Sequence, residues 1–197
     1  MTVCISKGNS KMGKIPSVSL PPGITCPYQC PDCYAKKGTF RFKAVRESLE
    51  NNLRIWNEDP DEFFRQVKEA VAKNRFFRFH VSGDIPSPDY LERMVETAQE
   101  NPQCQILAFT KRYGFVNDFI RNGGEIPKNL HIIFSKWRGF PMENPYNLPE
   151  AHIRYKDGET TANDDAIECY GNCTDCSVAG CGCWKLENGQ QVVFNQH

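Results

Sequence analysis

The chain of 197 residues sets 24 Lys and Arg against 24 Asp and Glu, and it carries ten cysteines. A balanced charge leaves no global field to gather nucleic acid or an acidic membrane surface, and no apolar run approaches the ~20 residues of a membrane span. Met1 to Lys7 leads into polar residues and not into the apolar stretch of a secretory signal. Ten thiols without such a signal point to metal or redox chemistry in a reducing compartment, so the expected location is the cytoplasm.

Residues 1–16 are rich in Lys, Gly and Ser and read as a loosely ordered leading segment. Ser17 to Leu20 alternates polar and apolar residues, which predicts a short strand, and Pro21-Pro22-Gly23 ends it. A loop then carries Cys26, Cys30 and Cys33. Ala44 to Asn57 places Val45, Leu49, Leu53 and Trp56 at helical spacing. Asp59, Pro60 and Glu62 open a second helix, as an N-cap acid, a first-turn proline and a third-position Glu. Its apolar side is Phe63, Phe64, Val67, Ala70 and Val71.

Phe77, Phe79 and Val81 alternate with Arg78 and His80 in a predicted strand, with His80 expected as a partly buried strand residue. Ser87-Pro88 starts a third helix, packed through Leu91, Met94, Val95 and Ala98. Gln105 to Thr110 is the next strand; a helix with Phe115, Val116, Phe119 and Ile120 stops at Gly123-Gly124. Leu130 to Ser135 is a further strand. This alternation argues for crossover units and a parallel sheet. A full eight-stranded barrel takes about 250 residues. The expected fold is therefore α/β, an open partial (β/α) barrel with parallel strands over 1–150, plus a cysteine-rich C-terminal loop region over 151–197. From Phe140 to Asp165 prolines interrupt the pattern and only His152 to Tyr155 reads as a strand; Val192 to Phe194 reads as an edge strand.

Three thiols on one loop are one ligand short of a closed zinc tetrahedron. They suffice for three irons of a 4Fe-4S cubane and leave the fourth open to a small molecule. The competing reading is a zinc site completed by Cys4, Cys104 or a distant histidine. In parallel barrels functional groups gather at the carboxyl ends of the strands. Those ends carry Cys26/Cys30/Cys33, then Ser82/Gly83/Asp84, then Thr110/Lys111, then Ser135/Lys136.

The C-x3-C-x2-C spacing followed by Tyr34-Ala35 resembles the cluster loop of the radical S-adenosylmethionine superfamily. It is most similar to the spore photoproduct lyase and DNA-photolyase-like branch, and to a small phage-encoded family of radical-SAM-like proteins. The resemblance implies a 4Fe-4S cluster on Cys26, Cys30 and Cys33 that chelates S-adenosyl-L-methionine. Where that family carries an aromatic residue before the third cysteine this chain has Asp32, so Tyr28 and Tyr34 are the aromatic candidates for the adenine. Ser82, Gly83 and Asp84 resemble the family's Gly-Gly-Glu element, which receives the methionine amino group. Thr110 and Lys111 resemble its Thr-Lys pair near the cofactor; Ser135 would meet the ribose or the carboxylate, and Lys136 the carboxylate.

A second group, Cys169, Cys173 and Cys176 at the same spacing, is followed by Cys181 and Cys183, with Gly171, Gly180 and Gly182 to let the loop fold back. Four of these thiols can close a zinc tetrahedron or hold an auxiliary 4Fe-4S cluster. The expected activity is reductive cleavage of S-adenosylmethionine to a 5'-deoxyadenosyl radical. Its reductant would be a flavodoxin or ferredoxin, its substrate is unassigned with nucleic acid as a candidate, and no membrane is involved. The alternative is a zinc- or iron-sulfur-stabilised nucleic-acid-binding module without catalysis, using Lys111, Arg112, Lys136 and Arg138 as a basic strip. Cys104 reads as a small buried apolar residue.

Overall fold

A computed structural model describes residues 1–31 and 33–196; Asp32, singled out above, lies outside the described residues. Eight strands form one sheet: β1 (Ile5–Ser6), β2 (Ser17–Val18), β3 (Phe76–Phe79), β4 (Gln105–Thr110), β5 (Leu130–Ser135), β6 (Glu150–Arg154), β7 (Ile167–Glu168) and β8 (Gln191–Asn195). Their order is β1-β2-β3-β4-β5-β6-β8-β7. All neighbours are parallel except β1, which runs antiparallel to β2. The sheet is mixed α/β in character and does not close into a barrel.

The helices begin where local chemistry starts them. α1 (Lys43–Glu58) ends at Asp59, which caps α2 (Pro60–Ala72) by accepting from Glu62 N at 3.0 Å, with Pro60 at a position that needs no donor. Ser87 does the same for α3 (Pro88–Glu100), accepting from Tyr90 N at 3.2 Å. α4 (Tyr113–Arg121) follows β4, and the short α5 (Cys173–Ala179) lies in the C-terminal segment.

Register sorts the strand residues into two layers. Phe77, Ile106 and Leu130 lie side by side facing α1 to α4, and Arg78, Leu107 and His131 lie side by side on the opposite face. On the helical face Trp56, Phe63, Phe64, Phe79 and Tyr90 form an aromatic cluster, with Trp56 and Tyr90 centroids 4.8 Å apart. Each such ring contributes about 1.5–3 kcal/mol by leaving water. The opposite face is smaller and is covered by Met12, Ile15, Trp184 and Leu186 over Leu107, Ile133, Ala151 and Val192.

Three features depart from the sequence reading. β8 is an interior strand between β6 and β7, not an edge; Val192 and Val193 are both buried because the sheet is covered on both sides there. In α1 the buried set is Leu49, Asn52, Ile55 and Trp56. Asn52 goes inside because its amide donates to Cys4 O and Ser19 O at 3.0 Å and its carbonyl accepts from Cys4 N at 2.7 Å. His80 stands one residue beyond β3 with φ +58°, fully inside, its Nε2 3.1 Å from Tyr90 Oη. Burial holds its pKa down at about 3.

Candidate metal and cofactor site at the strand ends

The loop after β2 is fastened to the loop after β3 before any thiol is reached. Leu20 N donates to Ser82 O at 3.0 Å, and Ser82 Oγ donates back to Leu20 O at 3.1 Å. Thr25 Oγ1 donates to Pro21 O at 3.1 Å and accepts from Asp84 N at 3.0 Å. Gly83 makes this approach possible. At φ +80° a Cβ there would stand 2.6 Å from Leu20 O and 2.8 Å from Thr25 Oγ1. The structure therefore brings Ser82, Gly83 and Asp84 directly under the thiol loop.

Asp84 is the hub of the rim. Its Oδ1 accepts from Thr110 Oγ1 at 2.6 Å and Ile85 N at 2.8 Å, and its Oδ2 accepts from Lys111 N at 2.9 Å. Burial pushes its carboxyl above the usual range, against these three donors and the Lys111 charge. A carboxylate offers roughly four acceptor sites, so Oδ2 retains one for a ligand. Lys111 Nζ donates to Ser135 Oγ at 3.0 Å and sits 5.3 Å from the Trp137 ring centroid. Tyr113 Oη donates to Ser135 O at 2.5 Å, and Lys136 Nζ donates to Phe140 O at 3.3 Å.

Cys26 and Cys30 face this rim. Burial raises both thiol pKa values; Asp84 and Cys33 raise them further as like charges, and Lys111 opposes them. For Cys26 the Gly23 backbone also lowers the pKa. Cys33 N donates to Cys30 O at 3.3 Å, closing the turn that carries both. Cys33 is thus close enough to bear on both of the other thiols. Among the described residues, however, no three His, Cys, Asp or Glu side chains stand as a ready-made ion cage. Cys4, a proposed completing ligand, is exposed near Asn51, and Cys104 is fully buried with burial pushing its thiol up to about 12.

The model of a known family, Gene product 88, matches residues 4–177. The chain belongs to the Gene product 88 family. No curated protein and no solved structure matches it. This overturns the resemblance to the radical S-adenosylmethionine superfamily and its photolyase-like branch: the matching family is not one of theirs. Three cysteines and a following Tyr-Ala are too short a pattern to carry membership, since any loop that gathers three thiols needs similar spacing.

In this Gene product 88 protein the two tyrosines of the loop go different ways. Tyr28 stacks on Phe140, centroids 4.6 Å apart, and its hydroxyl donates to Pro141 O at 3.4 Å. Trp137 continues the stack at 6.4 Å from Phe140. With Pro31, Arg138, Tyr155 and Gln196, Trp137 and Phe140 line a cavity of about 190 Å³ beside the thiol loop. The Tyr34 hydroxyl turns inward to Val81 O although the residue is 42% exposed, and burial raises its pKa.

The proposed basic strip is spent internally. Arg112 Nη2 donates to Thr25 O at 2.7 Å, and Arg138 pairs with Asp157 and Glu159 at 2.9 and 2.7 Å. Thr25, Arg112 and Tyr113 hold the rim together, and sequence reading did not single them out for that work. The signal was weak, because each merely adjoins a residue that it did single out. Arg78 was also passed over, though an arginine between phenylalanines in a strand marks a charge aimed at the second face.

The second thiol group lies on that second face. Cys169, Cys173, Cys176 and Cys183 pack against the layer of Leu107, Ile133, Trp184 and Val192, whereas Cys181 is exposed. Burial pushes Cys176 up to about 11 and Cys183 up to about 12.

Proposed function

We propose that this protein is an enzyme that holds a 4Fe-4S cluster on Cys26, Cys30 and Cys33, with S-adenosylmethionine on the iron left without a thiolate. The proposal includes the finer architecture: the open parallel sheet serves as an arc of an incomplete (β/α) barrel, with its working face at the strands' carboxyl ends. The observation that carries it is the placement of the three-thiol loop against Asp84 and Lys111, an acceptor and a cation side by side. That pairing suits the ammonium and carboxylate of an amino-acid moiety.

Cys26, Cys30 and Cys33 would hold the cluster, and, once reduced by a flavodoxin or ferredoxin, it would supply the one-electron chemistry that cleaves the sulfonium to methionine and a 5'-deoxyadenosyl radical. The chain's own residues do the rest. Asp84 presents its remaining acceptor site, fixed by Thr110 and Lys111 N; Lys111 Nζ, held by Ser135, offers charge to a carboxylate. Tyr28, Phe140 and Trp137 shield one side of the loop from water. Arg112, Lys136 and Arg138 are each engaged by groups of this chain, which favours this reading over a nucleic-acid-binding module.

The test is anaerobic purification with iron and sulfide analysis, then dithionite reduction with S-adenosylmethionine. Formation of 5'-deoxyadenosine that disappears in Cys30→Ala is the expected result. A wild-type protein that carries iron and sulfide but yields no such product, or that binds only zinc, overturns the proposal.

A further inference from the structure

We propose that Cys169, Cys173, Cys176 and Cys183 form a second metal site, a tetrathiolate for a soft metal, and that Cys181 is not one of its ligands. Five thiols occupy this segment, and a tetrahedral site needs four. The structure separates them by environment. Four pack partly buried against one apolar layer, whereas Cys181 is exposed and touches the group only from outside, through its hydrogen bond to the Cys176 thiol.

The local fold draws those four to one place. Asn172 caps α5 by accepting from Thr174 N and Asp175 N at 3.1 and 3.2 Å, which sets Cys173 and Cys176 three residues apart on one helix face. Cys169 N donates to Val193 O at 2.9 Å and Cys173 N to Lys11 O at 3.0 Å, tying the segment's start to the sheet and to the leading segment. At its other end the chain reverses through Gly180 and Gly182, and a Cβ on Gly182 would stand 3.2 Å from Cys176 Sγ. The turn thereby returns Cys183 toward Cys176, Cys169 and Cys173, each of which bears on it electrostatically, while buried Trp184 anchors the exit.

Two further observations call for a ligand here. α5 has seven residues, far below the ~12–15 at which a helix persists unaided, and Tyr170 and Val178 are 90% and 83% exposed. The segment lacks a core of its own, the condition under which small folds use a metal staple. Four thiolates around a divalent ion also leave net negative charge beside an apolar floor, which requires a cation. Arg78 supplies it. The guanidinium lies over Phe109 at 4.9 Å, its Nε is buried without a hydrogen-bond partner, and its charge bears on Cys173 and Cys183 together with Lys11 on Cys173. Thiolate donors select zinc or the iron of a cluster, and binding would draw the four sulfurs inward by side-chain rotation.

This inference stands apart from the front-loop reading, and the experiment separates them. Metal and acid-labile sulfide are measured on full-length protein carrying Cys26, Cys30 and Cys33→Ala, so that only the second site can contribute. The expected result is one metal centre per chain: zinc without sulfide, or iron with sulfide. It is retained when Cys181→Ser is added and lost when Cys183→Ser is added. If Cys183→Ser does not fold, cobalt titration of the front-loop variant with and without Cys181→Ser replaces it, and equal thiolate-to-cobalt absorption is expected. An absence of metal in the front-loop variant, or loss of metal or of that absorption on removing Cys181, overturns the assignment.

Discussion

The two thiol regions sit on one sheet and are held by opposite means. The front loop is fixed by polar contacts, Thr25 to Asp84, Asp84 to Thr110 and Lys111, and Arg112 back to Thr25 O. The rear group is fixed by burial, with Trp184 against Phe76 at 5.0 Å between centroids and Leu186 beside it. Hydrogen-bonded rims specify geometry and fail when one partner leaves. Apolar floors tolerate small shifts and lose stability in proportion to removed volume. The front is thus held by the geometry of its hydrogen bonds and the rear by the volume that fills its apolar layer.

The contrast is broken most severely by Trp184→Ala. Emptying that site is expected to cost about 3–5 kcal/mol, read by urea denaturation, and to raise alkylation of Cys173 and Cys183 while Cys26 and Cys30 react as before. The mirror experiment is Asp84→Ala. Three donors lose their acceptor, an expected loss of about 3 kcal/mol. For a chain of this size that lowers the melting temperature by roughly 6–12 °C. Alkylation should then rise at Cys26 and Cys30 and not at Cys183. Equal exposure of both groups in either variant would show that the regions are coupled.

Gly83→Ala sharpens the same comparison at the front. The added Cβ meets Leu20 O at 2.6 Å in a backbone conformation with φ +80°, and about 2 kcal/mol of destabilisation is expected, checked by thermal melts. The smallest effect is acid sensitivity on the helical face. His80 is held neutral in the fold with a pKa lowered to about 3, whereas the unfolded chain titrates near 6.5. The unfolded state therefore binds more protons between those values, so stability falls as pH drops through that window. The slope is at most about 1.4 kcal/mol per pH unit. At pH 5.5 a loss of about 1.4 kcal/mol is expected, absent in His80→Gln, measured by denaturation across pH.

Much of the helical layer was legible because capping is local: Asp59-Pro60 and Ser87-Pro88 announce α2 and α3 without tertiary context. Strands β3, β4 and β5 were legible by alternation and by the helices between them. Asn52, His80 and β8 were not, because each is decided by a distant partner: the β1–β2 segment, Tyr90, and the cover of Trp184 and Leu186. At the front the cysteines and Asp84 could be singled out from their order along the chain. The lacing by Thr25 and Arg112 could not, since it spans 59 and 87 residues. A loop of ten residues does not decide a family; the match over residues 4–177 does.

The sheet begins and ends on strands of two residues, β1 and β7. Such stubs expose too few free amides and carbonyls to template a further strand, and Arg154 pairs with Glu168 across the β7 side. Edges this short give a second copy little backbone to pair with, so sheet-to-sheet extension at either margin is disfavoured.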